Sequence, residues 1–328
     1  MIIIYLFIYC VLKLNILDNY KNKDIWFCVF NPAAGINNIE KVRDKIEFEL
    51  YKNNIEFELY FTKFKGDATN EVIDKIMEGY NKFIAVGGDG TVHEVVNAIF
   101  NQDFVSSNQI TLAVIPTGTG NDWAKHHNLS MDISKSVSLI KKNKTDLQDI
   151  GIARFYKNNR QKTEYFNNVA GMAYDAFVVK KLEQRKNKPN KFIYIISVLS
   201  YLFQYKLQKA KVIMDKKEFE DIFYTINIGI CKYSGGGMSL VPHAVHNDGK
   251  FAITLAGKIS KADILLNTYR FYNETITKHP KINAFFSKNI IVKSLDKHPV
   301  LLELDGELVG ESPVQFNIIE KGLRFISN

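Results

Sequence analysis

The chain has 328 residues, 46% of them hydrophobic, which suffices for one large or two ordinary globular domains and excludes a disordered chain. Lysine and arginine number 43 against 35 aspartate and glutamate residues, so the net charge is +8. This charge is compatible with nucleic acid, anionic phospholipid or a polyphosphate ligand, and it does not choose among them. The three cysteines form no C-x-x-C pair and no even framework, which favours a reducing, cytoplasmic compartment.

Residues 1–24 form an apolar N-terminal extension. Met1 to Leu12 is almost wholly apolar, but Lys13 interrupts the run well short of the roughly 20 residues that span a bilayer. The segment also lacks the positive start and small-residue cleavage site of a signal peptide. Two interpretations stay open for it, a membrane-surface anchor and an extension without function.

Four strand-then-helix units follow the extension. Short apolar runs at 25–30, 55–61, 83–86 and 110–115 predict strands, and each precedes a loop and a segment with helical spacing of apolar residues. The spacing of Asn37 and Glu40 predicts a capping box, and Asp67 is placed to cap the next helix. Such a series predicts a parallel, Rossmann-like α/β domain whose ligand lies at the carboxyl ends of the strands.

The loop from Gly87 to Thr91 is the most informative of those carboxyl-end loops. Its glycines let the backbone approach a ligand closely, and the helix start behind them suits phosphate. The carboxylate of Asp89 would repel phosphate unless a divalent cation such as Mg²⁺ lay between them. A tight turn with a solvated aspartate is the alternative, but a second Gly/Thr/Asp loop, Thr117 to Asp122, on the same sheet edge favours a ligand site.

Short alternating segments with turn residues between them begin near Leu147 and predict an antiparallel β-sandwich. One exception is Val178 to Leu207, where lysines and an arginine precede an apolar stretch. This segment predicts a helix that either rests on an anionic membrane or packs on the sandwich. His126-His127 and His243-x-x-His246 lack cysteine partners and a glutamate at ligand spacing, so the sequence disfavours a transition-metal site.

Several motifs stand in a recognisable order. They are Asn31-Pro32 to Gly35, the Gly-Gly-Asp-Gly-Thr core with Glu94, Pro116 to Asp122, Asn168 to Ala176, Pro242 to Gly249 and Asp305-Gly306-Glu307. Together they resemble the diacylglycerol kinase catalytic-domain family, in its bacterial soluble lipid-kinase branch, from about Ile25 to the C-terminus. The resemblance implies a nucleotide-binding α/β domain (25–146 with 313–328), a lipid-substrate β-sandwich (147–312) and an active-site cleft between them.

The resemblance also implies the activity and its residues. ATP would donate its γ-phosphate to the hydroxyl of diacylglycerol or a related lipid, as in phospholipid biosynthesis. The nucleotide would be held by Asn31, Pro32, Ala33, Ala34, Gly35, Thr62, Gly88, Asp89, Gly90, Thr91, Val92, His93, Glu94 and Thr117. His93 and Thr117 depart from the family pattern, which usually has asparagine and an aliphatic residue there.

A structural Mg²⁺ is also implied, bound by Asp248 and the backbone carbonyls of Val245 and Lys250, with Asp89 and Asp122 connected to it through water. Asp305 and Glu307 would form the catalytic turn. A carboxylate within reach can take the proton of an attacking alcohol. Asp305 is the first choice for this base, with Glu307 orienting or replacing it, and the sequence does not separate the two.

Two other functions remain open. A nucleotide kinase similar to NAD kinase shares the Gly-Gly-Asp-Gly core, and a non-catalytic lipid-binding protein could keep the fold. The aromatic residues are not interleaved with basic ones as a stacking platform requires, so no nucleic-acid partner is expected. The expected partners are a lipid substrate and a membrane surface that the protein contacts peripherally, while the acceptor lipid and a homodimer stay undetermined.

Overall fold

The computed structural model describes residues 23–35, 38–185 and 191–328. The predicted apolar extension up to residue 22, the predicted cap Asn37 and part of the basic run after Arg185 lie outside the described residues. The helices are α1 (Ile39–Lys52), α2 (Asp67–Met77), α3 (Asp89–Asn101), α4 (Asp122–His126), α5 (Ile133–Lys142), α6 (Tyr174–Glu183), α7 (Lys191–Tyr201) and α8 (Lys261–Asn267).

The strands divide into an N-terminal and a C-terminal group. The first group is β1 (Trp26–Phe30), β2 (Phe57–Phe61), β3 (Lys82–Gly87) and β4 (Thr111–Pro116). The second is β5 (Thr145–Lys157), β6 (Arg160–Phe166), β7 (Val169–Ala173), β8 (Gln208–Met214), β9 (Glu218–Phe223), β10 (Thr225–Gly229), β11 (Tyr233–Ser234), β12 (Met238–Ser239), β13 (Phe251–Ala256), β14 (Ile282–Ser287), β15 (Asn289–Ser294), β16 (Leu301–Leu304) and β17 (Glu307–Ile326).

The N-terminal strands form a parallel sheet in the order β2-β1-β3-β4. Side chains alternate between the two faces of a strand. The face that carries Val29 and Ala85 packs in one apolar cluster with residues of α2 and α3, and the face that carries Cys28 and Ile84 packs in a second cluster with α1 and α5. Both faces are therefore covered, which explains why these strands read as continuous apolar runs.

The C-terminal strands pair antiparallel and join the parallel part through β17. Near its end β17 pairs in parallel with β4, Arg324 opposite Thr111, and over most of its length it pairs antiparallel with β5, β15 and β16. The resulting path is β14-β13-β10-β7-β16-β17-β4-β3-β1-β2. The predicted fold class, a parallel α/β part followed by an antiparallel β-sandwich, is confirmed. The predicted domain boundaries stay a prediction, because β17 contributes to both parts.

Two predicted helix caps differ from the structure. Asn38 is the N-cap of α1 and accepts a hydrogen bond from Lys41 N. Asp67 is the first residue of α2 rather than its cap, because Gly66 precedes it in the left-handed region at φ 88°. The carboxylate of Asp67 instead accepts from Lys63 N at 2.7 Å and Tyr60 Oη at 2.9 Å, so it fixes the loop that leads into the helix.

Tyr224 separates β9 from β10. The apolar stretch after the basic run forms α7 and a following turn. Leu202 is buried and the Tyr174 hydroxyl donates to the backbone oxygen of Val198, whereas Ile196 and Phe203 are exposed. One side of this segment therefore packs on the sandwich. Across the described ranges, the structure shows no helix with the length and apolar character needed to cross a membrane.

A candidate active site at the glycine loops

The two predicted glycine loops are in direct backbone contact. Thr117 N and Gly118 N donate to the carbonyl oxygen of Gly87 at 2.9 and 3.3 Å. A Cβ atom on Gly118 would lie 2.4 Å from the Cα atom of Gly88, closer than any real contact. Position 118 therefore requires glycine, and this close approach fixes the two loops as one surface at the carboxyl ends of β3 and β4.

The loop from Asn31 to Gly35 completes this surface. The Asn31 side chain donates to Thr91 Oγ1 at 3.0 Å and accepts from Ala33 N at 2.9 Å. A Cβ atom on Gly35 would lie 3.0 Å from Thr119 Oγ1. Pro32 and Ala34 are half-buried in the same loop. The three loops thus meet at one edge of the sheet.

Thr62 and Thr117 lie at the same edge, each at the end of a strand. Thr62 N donates to the backbone oxygen of Phe30 at 2.9 Å. The Thr117 hydroxyl is buried and has no hydrogen-bond partner within the described part of the chain. A buried unpartnered hydroxyl costs free energy, so Thr117 is a candidate contact for a bound ligand.

The start of α3 faces the cleft with its backbone amides. The N-cap is Gly88, which has no side chain to cap the helix, so the first amides and the positive end of the helix dipole are open to an anion. Val92 and His93 are only 3% and 5% exposed. Glu94 accepts from Gly66 N at 2.8 Å and Ala68 N at 3.2 Å. The side chains of Val92 and His93 are therefore buried, and the side chain of Glu94 is held by backbone amides at the start of α2.

Asp89 and Asp122 lie together beneath the glycine loops. Asp89 accepts from Trp123 N at 3.0 Å, and Asp122 accepts from Gly236 N at 2.8 Å and Gly237 N at 2.5 Å. Burial, followed by the charge of Asp122, raises the pKa of Asp89 to about 7. A nearby divalent cation would relieve this repulsion, so the pair fits a cation connected to it.

The predicted Mg²⁺ ligands lie on a turn of the second half. Asp248 is exposed, and its carboxylate accepts from Lys250 N at 3.1 Å. Asp149 accepts from Gly249 N and Lys321 N, both at 2.7 Å. Burial raises the pKa of Asp149, and the charge of Asp248 adds to this increase. Carboxylate and carbonyl oxygens are the ligands that Mg²⁺ prefers. The carboxylate of Asp248 and the backbone carbonyls of Val245 and Lys250 therefore fit this ion.

The carboxylate of Asp305 is buried and hydrogen-bonded within the protein. Its side chain is 1% exposed. It accepts from the backbone amides of Asn167, Asn168 and Val169 at 2.9 to 3.2 Å, and His93 Nδ1 lies 2.9 Å from Oδ2. Burial lowers the pKa of His93, but the hydrogen bond and charge of Asp305 outweigh it and raise the pKa overall. These contacts argue against Asp305 as the base, because all its accepting directions are used.

Glu307 has the more accessible carboxylate of the turn. Its side chain is 23% exposed, and Lys65 Nζ lies 2.7 Å from Oε2. A Cβ atom on Gly90 would be 3.1 Å from Glu307 Oε1, so the carboxylate faces the start of α3. Sequence reasoning missed Lys65. The available signal was its position just after the carboxyl end of β2, where ligand contacts concentrate.

Two buried acids lie behind the turn; Asp175 belongs to the motif Asn168 to Ala176, whereas sequence reasoning missed Glu303. Glu303 accepts from Gly306 N at 2.7 Å, and burial raises its pKa well above the ordinary range. Asp175 accepts from the Thr225 hydroxyl, and burial raises its pKa to about 7. A Cβ atom on Gly171 would collide with Glu303 and with Asp175, so the two acids pack against the same backbone. Glu303 alternates with leucines in β16, which in sequence is typical of a solvated strand face.

Two family models together match most of the chain. Residues 26–153 match the family model of the diacylglycerol kinase catalytic domain, and residues 168–327 match the YegS C-terminal NAD kinase beta sandwich-like domain. A diacylglycerol kinase of Staphylococcus haemolyticus is 31% identical over 290 residues, covering 88% of this chain and 83% of that protein.

Solved structures show the same fold. A diacylglycerol kinase crystal structure from Bacillus anthracis has a TM-score of 0.69 at 21% identity and covers 94% of this chain and 98% of its own. Yeast NADH kinase complexed with NADH has a TM-score of 0.52 at 10% identity, with 94% and 84% covered. At these identities the two structures support the architecture alone.

Proposed function

The chain belongs to the diacylglycerol kinase catalytic-domain family, and from this premise we propose that it is an ATP-dependent lipid kinase. It would transfer the γ-phosphate of ATP to the hydroxyl of diacylglycerol or a related lipid. One observation carries the proposal: the Glu307 carboxylate faces Gly90, at the helix start whose open amides suit a phosphate. A base and a phosphate site thus lie side by side.

The nucleotide would bind on the surface formed by the three loops. The amides at the start of α3 and the hydroxyl of Thr117 would contact its phosphates. Mg²⁺ at the turn of Val245, Asp248 and Lys250, with Asp89 and Asp122 linked through water, would supply positive charge. Phosphoryl transfer needs positioning and charge neutralisation more than covalent help. Lys65, beside Glu307, brings a further cation to this place.

Glu307 is the better candidate for the base. It is partly exposed and keeps Oε1 toward the cleft, so it can accept a proton from an attacking hydroxyl. Asp305 would instead position the turn, since its carboxylate ties Asn167, Asn168 and Val169 to the loop that carries Glu307. The two carboxylates of one motif thus take different roles.

The lipid acceptor would bring the protein to a membrane surface. Arg185 lies over the ring of Tyr201 at 5.6 Å, and Lys261 lies 5.3 Å from the ring of the exposed Phe203. A cation beside an exposed apolar ring, such as Lys261 beside Phe203, is typical of segments that rest on anionic lipid. We infer peripheral membrane binding through this region, with no nucleic-acid partner.

The experiment that tests the activity follows labelled γ-phosphate from ATP·Mg²⁺ to a panel of lipids in mixed micelles, with NAD added as an alternative acceptor. We expect label in a lipid and a loss of about 10²–10⁴-fold in kcat for Glu307→Gln, because the amide cannot accept the proton. The melting temperature of this variant should stay close to that of the wild type.

Asp305→Asn is the matched comparison. The amide NH₂ group of this variant cannot accept from the backbone N–H groups that the carboxylate now satisfies. We therefore expect the free energy of unfolding to fall by about 1–3 kcal/mol, together with the activity. If Glu307→Gln kept full turnover, the assignment of the base would be wrong. Label in NAD, or ATP binding without transfer to any acceptor, would contradict the lipid-kinase proposal.

A further inference from the structure

Two adjacent histidines and a third that is distant in sequence meet beside the candidate active site. His126 ends α4, His127 follows it, and His246 lies in the loop after β12. One ring nitrogen of each lies within 4.8 Å of the others. Their ring centroids are 4.9, 4.9 and 5.6 Å apart. His243, which the sequence pairs with His246, instead contacts the backbone oxygen of Phe285.

Hydrogen bonds leave lone pairs for a ligand on two of these rings. Gln148 donates its amide N–H to the backbone oxygen of Asn167, so its oxygen faces His127 Nε2 at 2.7 Å. His127 therefore carries its proton on Nε2 and keeps a lone pair on Nδ1. His246 Nε2 lies 3.3 Å from the Asp146 carboxylate, which likewise places the proton on Nε2 and leaves Nδ1 to accept.

His126 contributes the third lone pair. Its Nδ1 accepts from Lys232 N at 3.2 Å, a long hydrogen bond that a metal ion would replace. Neutral imidazole is the form of histidine that binds metal.

We propose that His126, His127 and His246 bind a transition-metal ion, Zn²⁺ in the first instance, with water in the fourth position. Zinc takes imidazole nitrogens at about 2.0–2.1 Å, so the rings need to move inward by roughly an ångström. Asp146 and Gln148 hold the outer nitrogens of two ligands, as partners of metal-bound histidines commonly do. Magnesium does not compete for this site, because it prefers oxygen ligands.

The ion would join the two halves of the molecule. His126 ends the helix that begins at Asp122 and His127 follows it, while His246 belongs to the turn that carries Asp248. Phe325 of β17 packs against His127 with ring centroids 4.3 Å apart. A metal here would therefore fix the glycine loop of Asp122 against the second half of the chain, and this role is separate from phosphoryl transfer.

The test uses the full-length, tag-free chain stripped of metal with a chelator and titrated with Co²⁺, whose visible absorption reports four-coordinate binding. We expect one Co²⁺ per chain, displaced by Zn²⁺, and a melting temperature that rises with Zn²⁺. His127→Asn and His246→Asn should weaken Zn²⁺ binding by at least about 100-fold. Asp146→Asn, which leaves all three rings in place, should weaken it by about 10- to 100-fold.

His243→Asn is the matched control, since it removes a histidine of the same loop outside the cluster, and it should bind Zn²⁺ like the wild type. The proposal is overturned if the wild type binds no more Co²⁺ than the cluster variants, or if His243→Asn loses binding equally. Displacement of Co²⁺ by excess Mg²⁺ would also overturn it, because the ion would then occupy the oxygen site. None of these readouts depends on kinase activity.

Discussion

Single glycines decide the shape of the candidate phosphate site. The space at Gly118 is closed by the backbone of Gly88, 2.4 Å from where a Cβ atom would stand. Backbone cannot yield as a flexible side chain can. The contact therefore explains why the loop after β4 must be as glycine-rich as the loop after β3, although the two carry different residues around their aspartates.

We expect Gly118→Ala to separate the two loops. The overpacking should lower the free energy of unfolding by about 1–3 kcal/mol and weaken ATP binding, because the loops no longer form one surface. Chemical denaturation and ATP titration measure the two effects.

Gly257→Ala provides the control, since the nearest heavy atom to its Cβ position is 3.8 Å away. Normal ATP affinity in Gly118→Ala would show that the contact between the loops does not form the nucleotide site. Loss of affinity in Gly257→Ala as well would point to a general effect of the substitution.

At the scale of elements, local patterns predict the parallel strands well and the polar network poorly. The runs around Val29 and Ile84 are apolar without alternation because both faces of the sheet are covered. His93 and Asp305, by contrast, are 212 positions apart. Their pairing depends on β16 lying beside β7, and no local pattern contains that register.

The histidine cluster and the choice of the proposed base likewise depend on contacts that no local sequence pattern contains. The spacing His243-x-x-His246 suggests a local pair, but the fold turns His243 toward Phe285 and His246 toward His127. The motif Asp305-Gly306-Glu307 could be found in sequence. The division of roles inside it could not, because it depends on which carboxylate is enclosed by backbone amides.

The segment of α7 makes a prediction about membrane binding. Ile196 in α7 and Phe203 in the turn that follows it are 51% and 64% exposed. Changing both to serine should weaken binding to vesicles that contain anionic lipid by about tenfold or more, since a buried apolar side chain contributes about 1.5–3 kcal/mol. Co-sedimentation with vesicles measures the change.

Phe48→Ser serves as the control for this experiment, because Phe48 is 62% exposed on α1 at the other end of the sheet. It should bind vesicles like the wild type. If the double variant bound vesicles as well as the wild type, this surface would not be the membrane contact. Phosphorylation of a lipid dispersed in micelles would still test the kinase activity separately.

At the scale of the whole molecule, one sheet connects both halves through β17, and the second half carries buried acids behind the turn of Asp305 and Glu307. Acids buried without a compensating cation are protonated more readily in the folded than in the unfolded chain. Folding is therefore coupled to proton uptake. The free energy of unfolding should fall as the pH rises toward the raised pKa values of these acids.

Asp175 gives the clearest case. Its pKa is about 7 in the folded chain and about 3.9 in an unfolded chain. Between these values the folded state holds a proton that the unfolded state has released, so its contribution is fully present below about pH 4 and is lost as the pH rises to about 7. Asp175→Asn keeps a neutral side chain at every pH. At pH 8 this variant should therefore be more stable than the wild type by a few kcal/mol, at about 1.4 kcal/mol per pK unit. At pH 4 it should lose this advantage.

Asp221→Asn, at an exposed site on the neighbouring β9, should retain the wild-type pH dependence in denaturation series. A stability advantage of Asp175→Asn that is equal at pH 4 and pH 8 would show that the carboxyl group does not titrate between them.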